Sequence, residues 1–349
     1  MEKIYIRSAS AISPQHTFGD VPFLEQAVIY ETSRLKVIEP DYKEFIDPKL
    51  IRRMSKVIKM GVSAAKDCLN RAGVEMPDAI ITGTAYGCVE DTGVFLTRII
   101  EQEEEMLPPT AFIQSTHNTV AAQIALMLKC HAYNNTFVHK SFSFESALLD
   151  ASMLFAEGEA NTILVGGVDE VTDISFAVFN RFGIYKKGPF KNTSLFEGKS
   201  KATISGEGTA FFMLSNQPSA VDIACLSALG TFYKPIDAEE EIAGFLNDNG
   251  IDLGNIDLVI SGKNGHDETD AVLEKLEEGI FKNNSVVNYK HLCGEYPVAS
   301  SFALWLATNI IKKGIVPKTI GHFDGEVKKI LICNQYQNKY WSLMLVEQC

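Results

Sequence analysis

The chain is short of several things, and each shortage removes a class of protein. No two of its seven cysteines form a C-x-x-C pair, and none has zinc-finger spacing with another Cys or His. A scattered, odd-numbered set reads as reduced thiols in a reducing compartment. No apolar run approaches the roughly 18 residues that a membrane span needs. The opening MEKIYIRSASAIS reads as a strand and lacks the long apolar core of a signal peptide. Basic residues are in deficit, 32 against 44 acidic, for a net charge of −12, which argues against a nucleic-acid groove. There is no Gly-rich Lys-Ser/Thr phosphate loop and no low-complexity tract. No metal site, cofactor, nucleic acid or membrane is implied, and a cytoplasmic location is expected.

What is present is the material of a packed globular protein. Hydrophobic residues make up 46% of 349, enough for roughly two domains or one duplicated one. Ten apolar, β-branched runs predict strands at 4–12, 78–83, 135–140, 162–167, 209–214, 223–232, 258–262, 285–288, 329–334 and 341–346. Helical patterns lie between them, at 52–72, 119–128, 146–157, 239–247, 270–280 and 299–312. In the first, Met54, Val57, Ile58, Val62, Ala65 and Leu69 mark one face and Gly73 supplies the stop. Strands alternating with helices predict an α/β fold with buried sheets. The polar turn at 216–219 divides two halves that repeat one theme, without a short repeat period.

Residues 134–170 carry the clearest chemical signal. A strand runs into a small-residue turn at Ser141–Ser143, a helix follows to Gly158, and a second buried strand ends in Gly166-Gly167. A side chain at such a turn faces a helix N-terminus, where free N–H groups favour negative charge and suit a nucleophile. The same serines would serve equally as helix caps.

At these residues the chain resembles a β-ketoacyl synthase of the thiolase fold. SASAISP (8–14), the helix at 52–75, GTAYGCVEDT (83–92), PTAFIQSTHNTVAAQIAL (109–126) and GEGTAFFML (206–214) agree in order and spacing, in the form associated with aryl-polyene and pigment clusters. The resemblance implies two pseudo-duplicated halves, 1–217 and a shortened 218–349, in α-β-α-β-α layers. It also implies a dimer joined through 135–140, with an acyl carrier protein as partner.

Four positions depart from the condensing members. The cysteine nucleophile becomes Ser141, which would need an adjacent general base. The Lys-x-x-x-Gly-His motif becomes Lys290 to Glu295, and a charged Glu295 would repel the developing enolate. The first family histidine falls on Gly262 when anchored at Asp270, or on His266 with a gap. Finally, the Gly-rich loop after Asn334 becomes Gln-Tyr-Gln-Asn-Lys-Tyr (335–340), whose bulk would fill the space.

Three functions follow. The first is a non-condensing partner similar to a chain-length factor, dimeric with an active ketosynthase, with Phe142 and Phe144 as core or tunnel-lining residues. The second is an acyltransferase with Ser141 as nucleophile and His266 or His139 as base; Cys293 is a further nucleophile candidate, or a buried inert thiol. The third is a homodimeric binder of an acyl carrier or acyl chain, with Arg52, Arg53, Lys56 and Lys59 as its docking patch or simply a solvated helix face.

Overall fold

The computed structural model describes residues 2–107, 109–323 and 325–349. Its ten strands are β1 (Ile4–Ile12), β2 (Ala79–Gly83), β3 (Tyr133–Phe137), β4 (Thr162–Asp169), β5 (Gly208–Ser215), β6 (Ala224–Tyr233), β7 (Leu258–Ser261), β8 (Ser285–Asn288), β9 (Lys329–Tyr336) and β10 (Tyr340–Glu347). The α-helices are α1 (Pro48–Ile51), α2 (Lys56–Ala72), α3 (Val89–Glu101), α4 (Pro109–Gln114), α5 (Thr119–Leu128), α6 (Ser143–Ala156), α7 (Asp173–Arg181), α8 (Ala238–Asp248), α9 (Asp267–Glu278), α10 (Lys290–Cys293) and α11 (Ser300–Lys313).

The strands form one sheet in the order β3-β2-β4-β5-β1-β6-β10-β9-β7-β8. Numbered within each half, both halves follow the order 3-2-4-5-1 outward-in, with the same parallel and antiparallel pairings. The duplication that sequence similarity leaves invisible is thus plain in topology. The halves meet where Ile4, Tyr5 and Ile6 pair with Leu226, Cys225 and Ala224.

Three clusters of buried side chains define the layers. α2 and α5 pack on one outer face, through Val57, Ile58, Leu69, Val120 and Ile124. α8 and α9 cover the other, through Ile242, Phe245, Leu273 and Leu276. Between the half-sheets lie α6 and α11, with Leu148, Ala151, Phe302 and Leu306 in one shared core. Central β4 is apolar almost throughout and buried on both faces, as a strand covered on both sides must be. Gly73 ends α2 in the left-handed conformation, as expected.

Some expectations need correction. The strand expected at 135–140 lies at Tyr133–Phe137, because Val138 onward turns into a helical turn at Lys140–Phe142. The helix expected from Arg52 begins at Lys56, after the separate turn α1. The cysteines are not all reduced: Cys225 and Cys349 are joined as a disulfide, while Cys68, Cys88, Cys130, Cys293 and Cys333 are free and buried. Among the described residues no helix is long and apolar enough to cross a membrane.

Candidate functional site

The site is built where the loop after α10 crosses the segment leading into β5, beside the strand-to-helix turn before α6. Two glycines permit that crossing. A Cβ on Gly206 would lie 1.9 Å from the Cys293 carbonyl oxygen, and Gly294 has φ +74° against the Gly206 backbone. The two segments are then tied by Gly206 N–H to the Glu295 carbonyl (3.0 Å) and Glu295 N–H to the Ile204 carbonyl (2.8 Å).

Lys290 and Glu295 meet there, both buried. The Lys290 ammonium donates to both Glu295 carboxylate oxygens, each at 3.0 Å, and to the Gln335 carbonyl at 2.6 Å, so three acceptors surround its three donors. The Asn264 amide adds a third donor to Glu295, at 2.7 Å. Burial pushes the Glu295 carboxyl above its ordinary pKa, while Lys290 and Asn264 pull it back. Breaking such a pair strands a buried charge, so each partner locks the other.

Ser141 is also buried, but stands apart from that cluster. Its Oγ donates to the Pro297 carbonyl at 2.9 Å, two residues beyond Glu295. A hydroxyl whose proton is held by a carbonyl has no base to remove it. Lys140, just before it, has φ +49°, a region costly for a residue with a side chain. Ser143 stabilises this turn: its Oγ accepts from His139 N–H (2.8 Å) and donates to the Lys140 carbonyl (2.7 Å). The His139 side chain is exposed and meets the Phe142 ring edge-on, with ring centroids 5.6 Å apart.

His266 is half-buried at the start of α9, on a cavity of about 430 Å³ that it shares with Glu295, Asn264 and Tyr336. Ser141 does not line this cavity. Gly262, the other position for the first histidine, has no room for any side chain: a Cβ would lie 2.8 Å from both Asn334 Cα and Gln335 N. Asn264 went unnoticed in the sequence, although it stands six residues before Asp270, whose carboxylate receives the Asn264 and Gly265 N–H groups at 2.9 and 2.7 Å.

Other candidates resolve simply. Cys293 is fully buried, and burial pushes its thiol well above the ordinary value. Phe144 is core, against Phe212, whereas Phe142 packs against Tyr340 with centroids 5.0 Å apart. Tyr336, Gln337, Asn338 and Lys339 line the 430 Å³ cavity rather than filling it, contrary to what their bulk led one to expect. The basic patch is broken up: Lys56 is paired with both oxygens of buried Glu207, at 2.7 and 2.6 Å, and Lys59 lies over the Tyr42 ring. No group of three or more metal-ligating side chains exists among the described residues.

Glu145 was missed altogether. It lies in the first turn of α6, fully buried, with neither carboxylate oxygen hydrogen-bonded. Burial pushes its pKa up to about 7; Ser300 and Ser342 pull back only partly, and neither closes a full hydrogen bond on it.

This architecture, with a strand-turn-helix at Ser141 and the loop after Lys290 and Glu295 lying against it at Pro297, in a sheet of two equivalent halves, is that of the ketosynthase, or thiolase-like, fold. Residues 33–187 match the family described as beta-ketoacyl synthase, N-terminal domain. The solved structures similar to this chain agree over its full length. The ishigamide ketosynthase/chain length factor superposes with a TM-score of 0.80 at 17% identity, covering 100% of this chain and 99% of that one. A beta-ketoacyl synthase from Burkholderia phymatum gives 0.81 at 14% identity, covering 100% of both chains. The ketosynthase ApeO in complex with its chain length factor ApeC, from Xenorhabdus doucetiae, gives 0.77 at 14%, covering 100% of this chain and 98% of that one. No curated protein matches the chain.

Proposed function

We propose that this ketosynthase-like protein is a non-condensing partner subunit, similar to a chain-length factor, that pairs with an active ketosynthase and acts on chains carried by an acyl carrier protein. One observation carries the reading. Where a condensing site needs a free nucleophile and two hydrogen-bond donors, this chain has a closed Lys290–Glu295–Asn264 cluster and a Ser141 hydroxyl committed to Pro297. On this reading Ser141, His266, Lys290 and Glu295 mark the old catalytic positions without their chemistry, and 1–217 and 218–349 are the two halves. β3 supports a dimer: it hydrogen-bonds β2 on one side, and its other edge is the end of the sheet. The ApeO–ApeC complex offers a precedent in kind for the pairing, and a type II ketosynthase bound to its acyl-carrier protein offers one for the carrier. A cytoplasmic location belongs to the same proposal, with the Cys225–Cys349 bond as an observation it must accommodate.

The test is intact-mass measurement after incubation with acyl thioesters, together with co-expression beside a cysteine-bearing ketosynthase. No adduct and a stable heterodimer are expected. An acyl adduct that disappears in Ser141→Ala, or chain extension by this protein alone, overturns the proposal.

A further inference from the structure

Behind Glu295 lies a smaller chamber of about 150 Å³, walled by the rings of Tyr86, Phe179, Tyr185, Tyr296 and Tyr336. Three carboxyl groups also line it: Asp169, Glu170 and Glu295. Among the described residues, only Glu295 of the three has a cation of its own, Lys290. Asp169 receives neutral donors alone, from Thr84 Oγ1 (2.9 Å), Ala85 N–H (2.8 Å) and Val298 N–H (3.2 Å). Glu170 is 5% exposed; one oxygen accepts the Glu90 N–H at 3.0 Å and the other, Oε2, is buried with no partner. The nearby Lys56 is already held by both oxygens of Glu207.

An unpaired buried carboxyl oxygen beside a wall of aromatic rings is a defined chemical environment. Ring faces carry partial negative charge and attract cations within about 6 Å. Carboxylates without a counter-ion do the same and recover their desolvation cost when one arrives. A metal ion would want several convergent oxygens, and no such group exists among the described residues. An organic cation, soft and partly apolar, suits both walls.

We propose that this chamber binds the ammonium head of a small organic amine, with Glu170 as its counter-ion and the tyrosine rings around it. Space for the rest of such a molecule lies on either side. A groove of about 930 Å³ shares Val89, Glu170 and Val171 with the chamber, and the 430 Å³ cavity shares Phe179, Tyr185, Glu295 and Tyr336. The site does not depend on the partner-subunit reading, since every residue belongs to this chain.

Burial holds both Asp169 and Glu170 up at about 7, so part of each population is protonated near neutrality. Lys56, Glu90 and Glu207 act electrostatically on Glu170, and the backbone of Ala85, Tyr86 and Val298 donates to Asp169. A cation entering the chamber expels those protons.

Calorimetry on the full chain tests this, with tetramethylammonium as ligand, tert-butanol as its neutral counterpart and acetate as an anion. Saturable binding of tetramethylammonium is expected, at least about tenfold tighter than tert-butanol, with acetate silent. Glu170→Gln keeps an acceptor for Glu90 N–H and is expected to weaken binding about tenfold. Should that variant misfold, the wild type still decides: titration at pH 6.5 in two buffers of different ionisation enthalpy must show proton release on binding. Equal affinity for tert-butanol, no saturable binding, unchanged affinity in folded Glu170→Gln, or absence of proton release each overturns the assignment.

Discussion

Replacing Glu145 with glutamine keeps the shape of a fully buried side chain while removing its ability to ionise. The acid's pKa rises from 4.5 to about 7 on folding, because burial penalises the charged form. For an acid raised in this way the folded state holds its proton longer than the unfolded one, so its stabilising contribution is complete below pH 4.5 and is lost as pH climbs through 7. The whole gap corresponds to about 3 kcal/mol, and about 2–3 kcal/mol of it falls between pH 5 and pH 8. Urea unfolding followed by the fluorescence of Trp305 and Trp341 at the two pH values reads it directly. Glu145→Gln is expected to gain on the wild type by that amount as pH rises from 5 to 8, although Asp169 and Glu170 keep both proteins declining. A stability difference that stays constant within about 0.5 kcal/mol would refute the reasoning, since the carboxyl would then be ionised in both states or in neither.

Ser141→Ala is expected to leave pairing with a ketosynthase intact and to cost about 1–3 kcal/mol in urea unfolding, because it strips the buried Pro297 carbonyl of its donor. Lys290→Met leaves Glu295 charged and unpaired and should cost about 3–5 kcal/mol, whereas Lys290→Met with Glu295→Leu recovers most of that loss. Gly262→His is expected to destabilise by at least about 1–3 kcal/mol and to restore no condensation even beside Glu295→His, as measured by malonyl-dependent chain extension, because its Cβ has nowhere to sit.

Each strand overlaps a run that the sequence marks, since most of them, such as β2, β4, β5, β9 and β10, are largely apolar and buried almost throughout, while β3 is the polar, part-exposed exception. The third was displaced because its ending is set by the Ser143 side chain and the backbone of Lys140, not by hydrophobicity. α3 and α7 escaped notice although α3 carries an apolar stripe; neither buries a single residue fully. At the site, the spacing of Lys290, Gly294 and Glu295 carried the resemblance, and the pair does meet. Asn264 and Glu145 had no such mark, since a lone polar residue gains meaning only from what folding brings beside it. The aromatic chamber was out of reach for the same reason, its walls coming from Tyr86, Phe179, Tyr185, Tyr296 and Tyr336 on widely spaced segments.

α11 is buried along nearly its whole length and touches β1 and β5 of one half and β9 and β10 of the other. A helix buried on nearly every side cannot be uncovered without exposing both half-sheets to water. The molecule therefore has no seam along which it opens like a jaw. Whatever reaches Glu295 does so without the half-sheets parting, by way of the cavity that His266, Asn264 and Tyr336 line.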